Sequence, residues 1–164
     1  QCEFSGFSKA VISAGGYTEI RSSSFGGGEY AVAVTETGNY DFKGLRISGL
    51  RQGLVLSAGN GSVVRSSITN CTQGINFKGG SVEIKDNNIF DNERNIVAAG
   101  KLVVSDNYFG SASIEKLRLE GDVLVKSILD APYPHGRRVV LIDDKEITPE
   151  LREKKFAELK ALGV

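Results

Sequence analysis

The segment Ile84-Lys85-Asp86-Asn87-Asn88-Ile89 returns twenty residues later as Val104-Ser105-Asp106-Asn107-Tyr108-Phe109, with apolar, acidic and amide side chains at matching places. The match extends through most of the chain. Phe4, Phe25, Ile47, Ile68, Ile89, Phe109 and Ile128 are separated by 21, 22, 21, 21, 20 and 19 residues. Val11, Val32, Leu54, Ile75, Ile96 and Leu117 are separated by 21, 22, 21, 21 and 21. A third ladder reads Ile20, Phe42, Val64, Ile84, Val104 and Val125, with steps of 22, 22, 20, 20 and 21. Self-similarity at a fixed period marks a repeat architecture. Within each repeat the local period is two: Val82 and Ile84 alternate with Glu83, and Ile75 and Phe77 with Asn76. That alternation is the mark of a strand, not of a helix.

Three short strands per repeat, separated by turns, make one coil of a parallel β-solenoid, and each strand pairs with its equivalent in the next coil. Gly16, Gly38, Gly80, Gly100 and Gly121 recur at one corner, with Gly59 and Gly61 around the missing step. No proline precedes Pro132, as expected where nearly every strand is internal and needs its N–H groups. Ser23, Ser66, Asn87 and Asn107 form a polar column broken at Leu45. Stacked amides at a bend can hydrogen-bond from coil to coil along the axis. The spacing predicts an all-β fold of about six 21-residue coils over residues 1–130. Residues 131–164 are read as part of the same domain, a capping strand and helix. Thr148-Pro149-Glu150 is the helix start, with threonine as N-cap and proline at the first position.

Asp86-Asn87-Asn88-Ile89-Phe90-Asp91-Asn92 and Asp106-Asn107-Tyr108-Phe109-Gly110 resemble the asparagine-rich repeats of the right-handed parallel β-helix superfamily, the pectate-lyase-like group. The second segment is similar to the Asn-Tyr-Trp-Gly sequence that closes the last coil in carbohydrate-binding and sugar-hydrolysis repeats, with Phe109 in the tryptophan place. A periplasmic family linked to copper-site maturation shares those repeats. The resemblance covers residues 1 to about 130 and implies a right-handed coil. It specifies architecture far better than activity, because one fold hosts many functions.

The chain has 164 residues, 20 Lys plus Arg and 20 Asp plus Glu, 40% apolar residues and no methionine. Zero net charge argues against a general nucleic-acid binder, and no apolar run is long enough to span a membrane. A chain starting at Gln1 without methionine is read as processed, or as part of something longer, with a periplasmic, cell-surface or secreted location. The first coil carries no cap, so an upstream segment or a protein partner is expected to cover it.

Equivalent residues in adjacent coils stand ~4.8 Å apart, which turns spacing into geometry. Asp86 and Asp106 stack as a carboxylate pair near the ~5 Å separation of retaining glycosidases; such a pair could also hold calcium, as in lyases of this fold. The plainer reading is that both bond to local backbone at a bend. Arg21, Lys43, Arg65, Lys85 and Lys126 form a cationic column at the residue after each third-ladder position, with Ser105 as the gap. That column suits an acidic polysaccharide or is balanced by Glu19, Asp41 and Glu83. Ile12, Ala33, Val55 and Val97 form an outward apolar stripe that calls for a covering element, the tail helix first. Tyr17 and Tyr40 are assigned to the core. Cys71 is read as a small inward group, three coils from Cys2 and beyond disulfide reach. His135 is a loop residue without a second ligand, and no metal site is expected from it. The leading expectation is a non-catalytic, exported carbohydrate-binding or envelope-scaffold module recognising a polysaccharide through the cationic column. A polysaccharide lyase or glycosidase using Asp86 and Asp106 is the alternative, and an interaction spacer the third.

Overall fold

The structure, a computed structural model, describes residues 1–110, 116–140 and 157. The strands run β1 (Glu3–Ser13), β2 (Gly16–Arg21), β3 (Ser24–Val34), β4 (Gly38–Lys43), β5 (Arg46–Leu56), β6 (Asn60–Val64), β7 (Ser67–Thr69), β8 (Gln73–Phe77), β9 (Ser81–Lys85), β10 (Asn88–Phe90), β11 (Arg94–Ala99), β12 (Lys101–Ser105), β13 (Leu117–Glu120), β14 (Val123–Val125), β15 (Ser127–Leu129) and β16 (Arg138–Val140). One parallel sheet stacks β1-β3-β5-β8-β11-β13, with β7 and β10 continuing from the front half of β5; a second stacks β2-β4-β6-β9-β12-β14. This is the expected solenoid of about six coils. The expected capping helix lies outside the described residues, apart from Ala157, which is helical and exposed.

Each coil turns three corners, and left-handed backbone marks all three. The first holds Gly6, Gly27, Gly49, Asn70 and Asp91, with φ of 62°, 63°, 71°, 55° and 55°. Left-handed backbone favours Gly and tolerates Asn and Asp. In the first three coils this corner is a bend inside a continuous eleven-residue strand; in the next two it separates β7 from β8 and β10 from β11. The third corner holds Ser22, Gly44, Arg65, Asp86 and Asp106, all left-handed. At the second corner the coils approach so closely that a Cβ on Gly80 would sit 1.8 Å from the Gly59 carbonyl oxygen.

The ladders are observed with two corrections. The second ladder pairs as read, from Val11–Val32 through Ile96–Leu117. In the third, Phe42 pairs with Val63, not Val64. Gly61 fixes this register. It lies opposite Tyr40, and a Cβ there would be 2.1 Å from the Tyr40 carbonyl oxygen and 2.4 Å from its ring. Val63 is therefore buried, and Val64 faces outward between Lys43 and Lys85. In the first ladder Ile128 bridges Asn107, not Phe109, so the last step is 21 residues rather than 19. Tyr40 is buried as expected, whereas Tyr17 is 65% exposed.

Inside the coil the polar column is a chain of hydrogen bonds. The Asn107 Oδ1 accepts from the Asn87 N–H at 3.0 Å and its Nδ2 at 2.8 Å; Asn87 Oδ1 accepts from the Ser66 N–H at 2.8 Å; Ser66 Oγ accepts from the Leu45 N–H at 3.1 Å. Asn107 Nδ2 donates to the carbonyls of Ile84 and Ser105, and Asn87 Nδ2 to that of Val63. Both asparagines are fully buried. At the first corner Asn92 makes a further link, unread in the sequence: its Oδ1 accepts from the Cys71 N–H one coil earlier at 2.8 Å, and its Nδ2 donates to Asn95 Oδ1 in the same coil at 3.1 Å.

The C-terminal end of the stack is closed by β16, which pairs antiparallel with β15. The loop between them carries a cis Tyr133–Pro134 bond, and the Asn88 amide binds the Tyr133 backbone at both N–H (2.7 Å) and carbonyl (3.0 Å). At the other end β1 and β2 are the outermost strands of their sheets.

Two substitutions test the interior. Asn107→Ala strips the acceptor from two Asn87 donors and the donor from two carbonyls. Each buried unpaired group costs ~1–3 kcal/mol, so urea unfolding is expected to show a loss of about 3 kcal/mol or more. Tyr40 is the opposite case: its hydroxyl is buried without a partner among the described residues, and burial pushes its phenol pKa upward. Tyr40→Phe is expected to be neutral or to stabilise by about 1 kcal/mol. A large loss in Tyr40→Phe, or none in Asn107→Ala, would contradict this account of the core.

Candidate functional site

The cationic column does not hold together as read. Arg21 pairs with Lys43, but Val64 takes the next place, followed by Lys85 and Ser105. Arg65 is displaced by one residue into the third corner, at φ 51°. The cause is the Val63 register: with Val63 inward, Val64 occupies the outward site. Lys126 follows Val125, whose partner is Val104. The acidic column Glu19, Asp41, Ser62 and Glu83 stands two residues away on the same face. Arg21 forms an ion pair with Glu19 and stands 3.9 Å from Asp41. Stacked like charges are disfavoured, and the acids offset them.

Asp86 and Asp106 share the third corner in consecutive coils, as expected. Their environments differ. Asp106 is 4% exposed, and its carboxylate accepts from Arg138 Nε at 2.5 Å, Arg138 Nη2 at 2.7 Å and Ser127 Oγ at 2.7 Å. This is a two-pronged Arg–carboxylate pair, the strong geometry for such contacts. It ties β16 to the last coils. A carboxylate so engaged is poorly placed to protonate or attack a substrate. Asp86 is half-buried without such a clamp. Among the described residues no three His, Cys, Asp or Glu side chains gather as a metal site.

A different surface has the shape of a site. Along the first corner lies an open groove of about 570 Å³, lined by Arg51, Asn70, Thr72, Asp91 and Glu93, with Cys71 also at its wall. These residues come from three successive coils, so equivalent groups step ~4.8 Å along the axis. Thr72 and Glu93 hold one column, Asn70 and Asp91 another. The hollow exists because Gly49 offers no side chain at the equivalent corner place. At the N-terminal end, Glu29 accepts from Ser8 Oγ at 3.1 Å and from Arg51 Nη1 at 3.2 Å. The Ser8 and Tyr30 hydroxyls and the nearby cations hold the Glu29 carboxyl below its usual range. Lys9 stands 5.7 Å over the Tyr30 ring. On the other flank Phe90 precedes Asp91, and its ring lies 5.6 Å from that of Tyr108 at a 59° tilt. Both rings are half-buried.

Sequence reading did not bring Arg51, Asn70, Thr72 and Glu93 together as a site. The column Gly6, Gly27, Gly49, Asn70, Asp91, all tolerant of left-handed backbone, is the signal that could have located the corner.

Cys71 gives a direct check on this geometry. Both cysteines are free, Cys2 exposed and Cys71 buried. Burial pushes the Cys71 thiol pKa up, outweighing the backbone hydrogen bonds from Leu50 and Gly49. Only the thiolate reacts readily. Iodoacetamide at mildly alkaline pH is expected to label Cys2 and spare Cys71 until the protein unfolds. Equal labelling of both in the folded state would show that Cys71 is not packed beneath the groove.

Comparison with curated proteins and with solved structures finds no match. The family described as "Right handed beta helix region" matches residues 1–118. Together with the parallel coils, their repeating corners and the buried amide ladder, that match makes the chain a member of the right-handed β-helix family.

Proposed function

We propose that the chain is a non-catalytic, exported carbohydrate-binding module of the cell envelope, and that the first-corner groove is its contact surface. The groove carries the reading. It is open and shallow, and it presents amide, hydroxyl, carboxylate and guanidinium groups from three coils. Polar groups spaced along a polymer axis suit the hydroxyls of a glycan. The engagement of Asp106 by Arg138 and Ser127 supports binding over bond cleavage.

A second reading has its own observation. Ile12 and Tyr17, the exposed large hydrophobics among the described residues, both lie on the outermost strands β1 and β2. Unpaired strand edges beside exposed apolar groups favour association, which supports a protein-interaction spacer.

A panel of neutral, acidic and amino polysaccharides, scored in the same tubes for bound protein and released sugar, separates these. Binding without release is expected. Thr72→Arg, which fills the groove from an exposed position, is expected to weaken binding roughly tenfold, about 1.4 kcal/mol. Release of sugar that disappears in Asp106→Asn would establish the lyase or hydrolase reading instead. Concentration-dependent association that Ile12→Lys abolishes, with no glycan bound, would establish the spacer.

A further inference from the structure

We infer that the groove selects glycans that carry amino groups. This rests on its reading as a glycan site. The lining contains one cation, Arg51, and two acids, Asp91 and Glu93. Arg51 is already shared with Glu29 at 3.2 Å. Neither Asp91 nor Glu93 has a side-chain hydrogen bond or ion pair with any described residue, and both are exposed. Arg94, next in sequence to Glu93, pairs with Gln73 in another column and does not line the groove. Two carboxylates therefore stand in the same coil, two residues apart, without a partner among the described residues.

That charge decides among glycans. A polyuronate would bring carboxylates against carboxylates, and like charges across a contact are unfavourable. A neutral glycan would use the Asn70 and Thr72 polar groups but leave the two charges unmatched. An amino sugar supplies an ammonium with three N–H donors and the opposite charge, while its hydroxyls still meet Asn70 and Thr72. Those neutral polar groups distinguish this site from a bare acidic patch, which would take any cation. The cations beside the third corner, which would suit an acidic polymer, are separated by Val64 and offset by Glu19, Asp41 and Glu83.

Chitosan and chitin oligomers share one backbone and differ in whether the amine is free or acetylated, so they isolate the charge. Calorimetric titration of the full chain at mildly acidic pH, where amines are protonated and most carboxylates ionised, is expected to show chitosan oligomers binding roughly tenfold tighter than chitin oligomers. Oligogalacturonate is expected not to compete. In the double variant Asp91→Asn, Glu93→Gln the chitosan preference should disappear and the two affinities converge; asparagine keeps the left-handed backbone that position 91 needs. Chitin binding as tightly as chitosan, or a preference that survives the double variant, overturns the inference and leaves the glycan site standing. Oligolysine binding as tightly as chitosan also overturns it, because the groove would then be reading charge alone. No glycan binding at all removes the site and the inference together.

Discussion

The fold depends on burying backbone at its corners and finding a partner for every polar group left there. A coil of about 21 residues must turn three times, and each turn takes N–H and carbonyl groups away from the sheet ladders. At the third corner, Asn107, Asn87 and Ser66 answer this by handing a side-chain oxygen to an N–H one coil earlier while returning their own donors to nearby carbonyls. Asparagine suits the task because its amide carries both an acceptor and two donors. Leu45 has no such side chain, yet its N–H is served by Ser66, so the column tolerates an apolar member where the next coil supplies the oxygen. A one-residue slip between coils would orphan these groups as well as misplace the core, so the amides enforce the same register as the apolar ladders.

The corners also shape the surface. Left-handed backbone at one place in the first corner of each coil favours Gly and tolerates Asn and Asp. The first corner is therefore built of small or polar groups by conformational necessity, and the hollow beside Gly49, Asn70 and Asp91 follows from that. The polar character of the groove begins as a requirement of the turn. What exceeds that requirement is the set of groups just past the corner: Arg51, Thr72 and Glu93 are under no left-handed constraint, and they give the groove its charge.

The solenoid was legible because its signal is redundant. Three ladders, each alternating by two and repeating near 21, agree with one another over six coils, so one ambiguous residue could not obscure the pattern. The register failed where redundancy ran out. Val63 and Val64 are chemically equivalent, and only the fit of Gly61 over the Tyr40 ring decides between them. That one step displaced Arg65 and dissolved the cationic column, because outward positions inherit every error made inside. Ile128 was misaligned for a related reason: Ile128 is apolar like Phe109, and hydrophobicity alone did not show that it stands opposite Asn107, 21 residues earlier. The groove was illegible because it is a relation among three coils, whereas the sequence shows each coil separately. Tyr17 falls between these cases: it pairs with Asn39, which pairs with Asn60, and both are exposed, so its column faces outward in the inner coils too and alternation with Thr18 and Ile20 already set its exposure.

Stacking creates a general ambiguity in solenoids. Any acid that recurs at the repeat period becomes one half of a carboxylate pair ~4.8 Å from its neighbour, which resembles catalytic spacing whether or not catalysis occurs. The useful distinction is whether the protein has already spent the charge. Asp106 has the Arg138 fork and the Ser127 hydroxyl, and through them it fastens the terminal hairpin to the stack. Its acidity is consumed in closing the fold. Asp91 and Glu93 have no side-chain partner among the described residues to explain them. They repel each other weakly through solvent and contribute nothing to the core, so folding alone does not require their charge. By the criterion that sets Asp106 aside as a reactive group, these two are the acids whose charge the described fold does not use, which is why the proposed ligand site lies at the first corner and not the third.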